Sequence, residues 1–229
     1  MNSYFFIIFN IISIFILFYL FNKINFKKKI NYVPGYINNE YIEPVIYNNF
    51  ISKEEADYIM QSTKNNFEKS LVSSKDGNLD ESVRKSKTAW IDKNDPIVKN
   101  IILRLCKIVN EPFENTEDLQ VVKYEKNGFY KEHYDSCCEL SDRCIEFNKY
   151  GSQRKITMLI YLNDDFKDGG TYFPKLNKTF KLSKYNGVLF YSLGKNSRKC
   201  HVNALHAGLP ISSGEKYVCN IWIREKKFS

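Results

Sequence analysis

Only three histidines occur in the 229-residue chain: His133, His201 and His206. Ten glycines and six prolines are too few for a collagen-like or low-complexity chain. The six cysteines form no Cys-x-x-Cys pair, which speaks against a structural zinc site. There is no internal repeat. No zinc finger, groove-reading helix or RNA-binding signature is present, so no nucleic-acid partner is expected. What is there, 43% hydrophobic and 26% charged residues, has the balance of a globular chain rather than a disordered one. With an end segment set aside, about 200 residues remain, enough for one domain with a sizeable core.

Residues 1–22 carry no charged side chain. Tyr4 to Phe21 is a run of Phe, Ile, Leu and Tyr broken only by Asn10 and Ser13. At ~1.5 Å per residue it spans roughly 27 Å, close to a bilayer core. A cleaved signal peptide wants a basic start and a small-residue cleavage site, and neither is present. The expectation is a single-pass anchor over 1–22, a basic and polar tether over 23–43, and a folded domain over 44–229. Lys23, Lys27, Lys28 and Lys29 follow the apolar run directly, where lysines meet lipid headgroups. They carry half of the net charge of +8, leaving 30 basic against 26 acidic groups in the rest of the chain. Lysines placed after the anchor favour a cytosolic domain. An even number of cysteines and the sequon Asn177-Lys178-Thr179 permit, without demanding, an oxidising lumen.

In the folded part, Ser52-Lys53-Glu54-Glu55 reads as a capping box, and Ala56, Ile59 and Met60 continue it at helical spacing. Asp95-Pro96 opens a second helix with the stripe Ile97, Ile101, Ile102, Leu105, Ile108 and Val109. After Leu119 the pattern changes to short strands: 119–124, 129–136, 156–163, 187–193, 203–210 and 216–224. Helices followed by many strands predict an α+β domain whose β part is a sandwich or barrel.

His133-Tyr134-Asp135 lies in one predicted strand. Residues i and i+2 project to the same face, so an imidazole and a carboxylate enter one cavity. A distant histidine would complete two histidines and one carboxylate on one face of a metal. That arrangement leaves positions open, as non-heme Fe(II) oxygenases require. His206 and His201 both compete for the third place. Lys216 lies ten residues beyond His206, across the Ser213–Glu215 turn. An antiparallel return there would set its ammonium beside the histidine. A buried cation needs an anion, and a dicarboxylate that also chelates the metal would supply one.

Several stretches together resemble the prolyl 4-hydroxylases of the collagen type, over residues 45–225. They are LQVVKYEKNGFYKEHYD (119–135), RKITMLIYLND (154–164), GGTYFP (169–174), LHAGLPISSGEKYVCNIWIRE (205–225) and VRKSKTAWI (83–91). The resemblance implies a double-stranded β-helix, or jelly-roll, core over about 117–226, with flanking N-terminal helices and preceded by one transmembrane helix. It implies Fe(II) on His133, Asp135 and His206, with His201 left as a bystander. Lys216 would hold the distal carboxylate of 2-oxoglutarate, assisted by Tyr124 and Thr171, with Trp222 lining the site. Arg84, Ser86, Glu117, Tyr130 and Arg154 match positions around a peptide groove. The family's acidic residue between the Gly-Gly pair and the threonine is missing at Gly169-Gly170-Thr171.

The activity so implied is oxidative decarboxylation of 2-oxoglutarate to succinate and CO₂, with one atom of O₂ placed on a proline ring. The substrate would be a proline-rich or collagen-like peptide in extended form. Ascorbate would restore oxidised iron. The implied location is the endoplasmic reticulum membrane with a lumenal catalytic domain, against the lysine rule above. Two other readings stand beside it: the same chemistry on a lysyl or other target, and an inactive membrane-anchored adaptor that keeps the fold.

Overall fold

The computed structural model describes residues 30–71 and 80–228. The anchor expected at 1–22, the first part of the tether and most of the loop preceding Glu81 lie outside the described residues. Among the described residues, no helix is long and apolar enough to cross a membrane.

Both predicted helix starts are present for the reasons read from sequence. Ser52 caps the helix Lys53–Thr63: its hydroxyl accepts from the Glu55 N–H, and the Glu55 carboxylate accepts from the Ser52 N–H. Asp95 caps Pro96–Val109, accepting from the N–H groups of Ile97 and Val98. This second helix buries Val98, Ile101, Ile102, Leu105 and Cys106. Ile97 and Ile108, counted in its predicted stripe, face solvent instead. A third, short helix, Asp142–Phe147, follows a cluster of cysteines.

Two antiparallel sheets form most of the rest. The larger has seven strands in the order Val45–Tyr47, Gly187–Tyr191, Arg154–Tyr161, Lys216–Arg224, Leu119–Tyr124, Lys87–Ile91, Glu68–Lys69. The smaller has five: Lys178–Phe180, Thr171–Phe173, His206–Gly208, Phe129–His133, Arg84–Lys85. Side chains alternate between faces along each strand. On Lys216–Arg224, Cys219, Ile221 and Ile223 join the core that includes both long helices. Lys216, Val218, Asn220 and Trp222 point the other way and line a cavity. The same split occurs on Arg154–Tyr161, where Met158 and Ile160 lie in the helix-side core while Leu159 and Tyr161 belong to a second core. That second core also takes Phe173 from the small sheet and Phe166 and Ile211 from connecting segments. One sheet face thus buys stability against helices while the other is free for chemistry.

The chain from Asn31, counted in the expected tether, is laid against the domain. Tyr36–Ile37 pairs in parallel with Cys200–His201. Tyr32 is buried and its hydroxyl donates to the Glu139 carbonyl at 2.6 Å. His201 acts as a clasp for this strap. Its Nε2 lies 2.9 Å from the Asn39 carbonyl oxygen, its Nδ1 accepts from the Asn203 N–H, and Tyr41 stacks on its ring at 4.5 Å. A carbonyl only accepts, so Nε2 carries the proton. His201 is therefore a fully buried residue whose bonds go to the strap.

Cys137–Cys144 and Cys138–Cys200 are disulfides, while Cys106 and Cys219 are free and buried. Burial pushes the Cys106 thiol up to about 11, so it is inert at neutral pH. The Cys138–Cys200 bridge spans a sequence separation of 62. Loop-closure entropy at that size is worth about 4 kcal/mol. Replacing both of these cysteines with serine should lower unfolding stability by about that amount, read as a shift in denaturant midpoint.

Candidate active site

The small sheet brings three side chains able to ligate a metal together. His133 and His206 are direct cross-strand partners in the small sheet, with ring centroids 4.3 Å apart. Asp135 lies just past the end of its strand, yet still turns inward. Its Oδ1 is 3.8 Å from His133 Nε2 and 3.9 Å from His206 Nε2. All three ligand atoms fall within 4.8 Å of one another.

Each ligand is oriented from behind. Nδ1 of His133 lies 2.8 Å from the Lys131 carbonyl oxygen, and Nδ1 of His206 lies 3.0 Å from that of Ala204. Both Nδ1 atoms must therefore donate, which leaves each Nε2 lone pair facing the centre. The Thr157 hydroxyl donates to Asp135 Oδ2 at 2.6 Å and leaves Oδ1 to the centre. Tyr130 stacks on His133 at 3.5 Å, and Phe173 and Phe190 pack against His206. Burial, followed by the neighbouring His206, holds the pKa of His133 well below its usual value. Two imidazoles with fixed tautomers beside one carboxylate are the donor set of a divalent transition metal.

Lys216 sits across the cavity, in the large sheet. It is not on an antiparallel return beside His206, as its spacing suggested, but pairs with Tyr124. Only 2% of Lys216 is exposed, and Nζ donates to the Gly169 carbonyl at 2.6 Å. The rings of Tyr161 and Tyr124 lie at 4.8 and 5.4 Å from Nζ. No ion pair joins Lys216 to any described carboxylate, and burial alone pushes its pKa down to about 7. A buried ammonium with spare donors is the complement of a carboxylate. Thr171 is buried nearby, its hydroxyl 3.0 Å from that of Tyr161. The loss of an acidic residue before Thr171 has not displaced it from the cavity wall. Gly208 adds room: a Cβ there would come within 3.3 Å of the Tyr124 hydroxyl.

The cavity holding these groups measures about 500 Å³. Arg84, Tyr130, Arg154 and Trp222 also line it. The Arg84 guanidinium lies 4.6 Å over Tyr130, and that of Arg154 lies 3.4 Å over Trp222, whose buried Nε1 has no partner among the described residues. Ser86 and Glu117 do not reach the wall. The Ser86 hydroxyl accepts from Arg84 Nε at 2.9 Å and so sets that arginine. Glu117 is a buried anchor that takes a bidentate bond from Arg154, at 2.6 and 2.8 Å, and another from Arg224. Burial would raise its pKa, but the two guanidiniums hold it below the usual carboxylate value. Glu117→Ala should strand both cations and cost about 3–5 kcal/mol, seen in the thermal or denaturant midpoint.

Sequence reasoning missed Thr157, Tyr161, Asn220 and Gln120, all close to the site. Period-two counting from Lys216 would have found Asn220, and from Tyr124 it would have found Gln120, whereas Thr157 and Tyr161 lie an odd number of residues from Arg154 and had no such signal.

Residues 119–224 match the family model of the 2OG-Fe(II) oxygenase superfamily. A candidate prolyl 4-hydroxylase of Acanthamoeba polyphaga mimivirus is 46% identical over 206 residues, covering 90% of this chain and 83% of the relative. Prolyl 4-hydroxylase 1 of Arabidopsis thaliana is 32% identical over 204 residues, 81% of this chain and 70% of that protein. The chain belongs to the prolyl 4-hydroxylase family of 2OG-Fe(II) oxygenases. Among solved structures, the viral collagen prolyl hydroxylase of Paramecium Bursaria Chlorella virus-1, in complex with 2OG, superposes with a TM-score of 0.62 at 27% identity. That likeness covers 81% of this chain and 97% of the other. The jelly-roll reading of the two sheets follows from it.

Proposed function

We propose that the protein is an Fe(II)- and 2-oxoglutarate-dependent dioxygenase that converts peptidyl proline to 4-hydroxyproline. The observation that carries this reading is the shared cavity: an oriented His-Asp-His face on one side, and on the other a buried Lys216 that has no anionic partner among the described residues. Relatives named as prolyl 4-hydroxylases support proline over a lysyl or other target. The adaptor alternative has no use for three oriented ligands and a buried cation, which costs stability without function.

His133, Asp135 and His206 would hold Fe(II), whose chemistry is to couple O₂ reduction and 2-oxoglutarate decarboxylation to hydrogen abstraction from the ring. Lys216 neutralises the far carboxylate of 2-oxoglutarate, with Thr171 and Tyr124 beside it. Phe173 and Phe190 keep water from the back of His206. Arg154, clamped by Glu117 and stacked on Trp222, presents a fixed donor to the carbonyls of a peptide that lacks N–H groups. Ascorbate belongs with such chemistry as the reductant of oxidised iron.

An oxidising compartment suits the two disulfides and the exposed Asn177, the sequon asparagine, which lies in the turn just before Lys178–Phe180. We place the domain on the lumenal side of the membrane that the apolar segment 1–22 would enter. The test of function is mass spectrometry of proline-rich peptides incubated with the protein, Fe(II), 2-oxoglutarate and ascorbate. Gain of one oxygen atom localised to proline is expected. Oxygen on another residue would redirect the substrate, and no peptide-dependent turnover would refute the enzyme.

A further inference from the structure

Tyr36 and Tyr134 line the cavity together, their ring centroids 5.1 Å apart and their planes tilted by 49°. Tyr134 lies between two of the metal ligands in sequence. Tyr36 comes from the N-terminal strap, outside the residues matched by the family model. It remains 40% exposed. The strap around it is nonetheless held firmly. The Gly35 N–H donates to the Cys138 carbonyl at 2.6 Å, and the Cys200 N–H donates to the Gly35 carbonyl at 3.2 Å. Those two cysteines are themselves joined by a disulfide. Further along, the His201 clasp fixes Asn39. Apolar burial does not explain why so many bonds hold an exposed aromatic ring at a cavity wall.

We propose that Tyr36 and Tyr134 form an aromatic subsite for a proline that flanks the hydroxylated one. This deepens the proposed function and rests on it. A polyproline segment has no N–H groups to offer, so it is recognised through its ring faces and carbonyls. Rigid aromatic grooves take such segments at low entropic cost. The ledge therefore selects substrates with proline next to the target over isolated proline, and the strap is a specificity element rather than a linker.

The test is a cycle between enzyme and peptide. Steady-state hydroxylation of a proline-rich peptide is measured with wild type, Tyr36→Ala and Tyr36→Phe. A set of peptides with each flanking proline changed to glycine is measured in parallel. Tyr36→Ala should raise the peptide KM about tenfold, the worth of one aromatic contact, with kcat and the 2-oxoglutarate KM unchanged. Tyr36→Phe should restore the wild-type KM. One flanking Pro→Gly change should raise KM in wild type and have no further effect in Tyr36→Ala. An unchanged peptide KM in Tyr36→Ala, with wild type active, overturns the subsite alone. Additive losses from the enzyme and peptide changes also overturn it. Absence of proline oxidation by wild type overturns the proposed function, and the subsite with it.

Discussion

Replacing His133 or His206 with alanine should reduce peptide-dependent 2-oxoglutarate turnover by about 10³-fold or more while the fold survives. Loss of even an outer-shell partner of a metal ligand commonly costs 10–100-fold, roughly, so loss of a ligand costs more. The two variants differ in their side effects. His206 packs against Phe173 and Phe190, so its truncation leaves a small cavity as well. His133 is covered mainly by Tyr130 and should unfold like wild type. Binding of Co(II), followed by its visible absorption, separates lost metal from lost structure. Undiminished decarboxylation in either variant would sink the ligand assignment. His201→Ala should give the opposite pattern, with metal retained and stability lowered, because its bonds go to the strap and not to the centre.

Lys216→Met should raise the 2-oxoglutarate requirement by about 100-fold, since a buried charge pair loses one partner. The same change should stabilise the ligand-free protein. Burial lowers the Lys216 pKa from 10.5 to about 7. The unfolded chain then binds one more proton than the folded chain between those values, so stability rises with pH across that window. Below about pH 7 the full cost of the buried ammonium is present, and above about pH 10.5 it is gone. Lys216→Met should lose this slope. Because 2-oxoglutarate favours the charged lysine, its binding at pH 8–9 should take up a proton. Calorimetry in two buffers of different ionisation enthalpy reads this directly. An unchanged 2-oxoglutarate requirement in the variant, or binding without proton uptake, would contradict the role of Lys216.

The metal face was legible because its logic is local. His133 and Asp135 are two residues apart, and the period of a strand needs no tertiary knowledge. The helix starts were legible for the same reason, through Ser52 and Asp95. His206 and Lys216 were found by spacing, but their relation was misjudged. Ten residues looked like a hairpin, whereas the chain crosses from the small sheet to the large one between them. That crossing makes the two face each other across a cavity. Glu117 and Ser86 matched functional positions, yet their side chains act from behind, on Arg154 and Arg84. Sequence separations of 37 and 2 residues give no hint which of two partners faces a ligand. The strap was read as part of a tether because Asn and Lys are frequent over residues 23–43 taken together. Its attachment depends on Tyr32, Tyr41 and the carbonyls of Gly35 and Asn39, and main-chain acceptors leave no trace in composition.

The most direct measurement of the central claim is the stoichiometry of a single reaction containing the protein, a proline-rich peptide, Fe(II), ascorbate and 2-oxoglutarate. Proton NMR follows succinate, and amino-acid analysis follows 4-hydroxyproline. Equal amounts of the two, with neither formed by His133→Ala, are expected. Succinate formed without 4-hydroxyproline, or hydroxyproline formed equally by His133→Ala, would contradict the account.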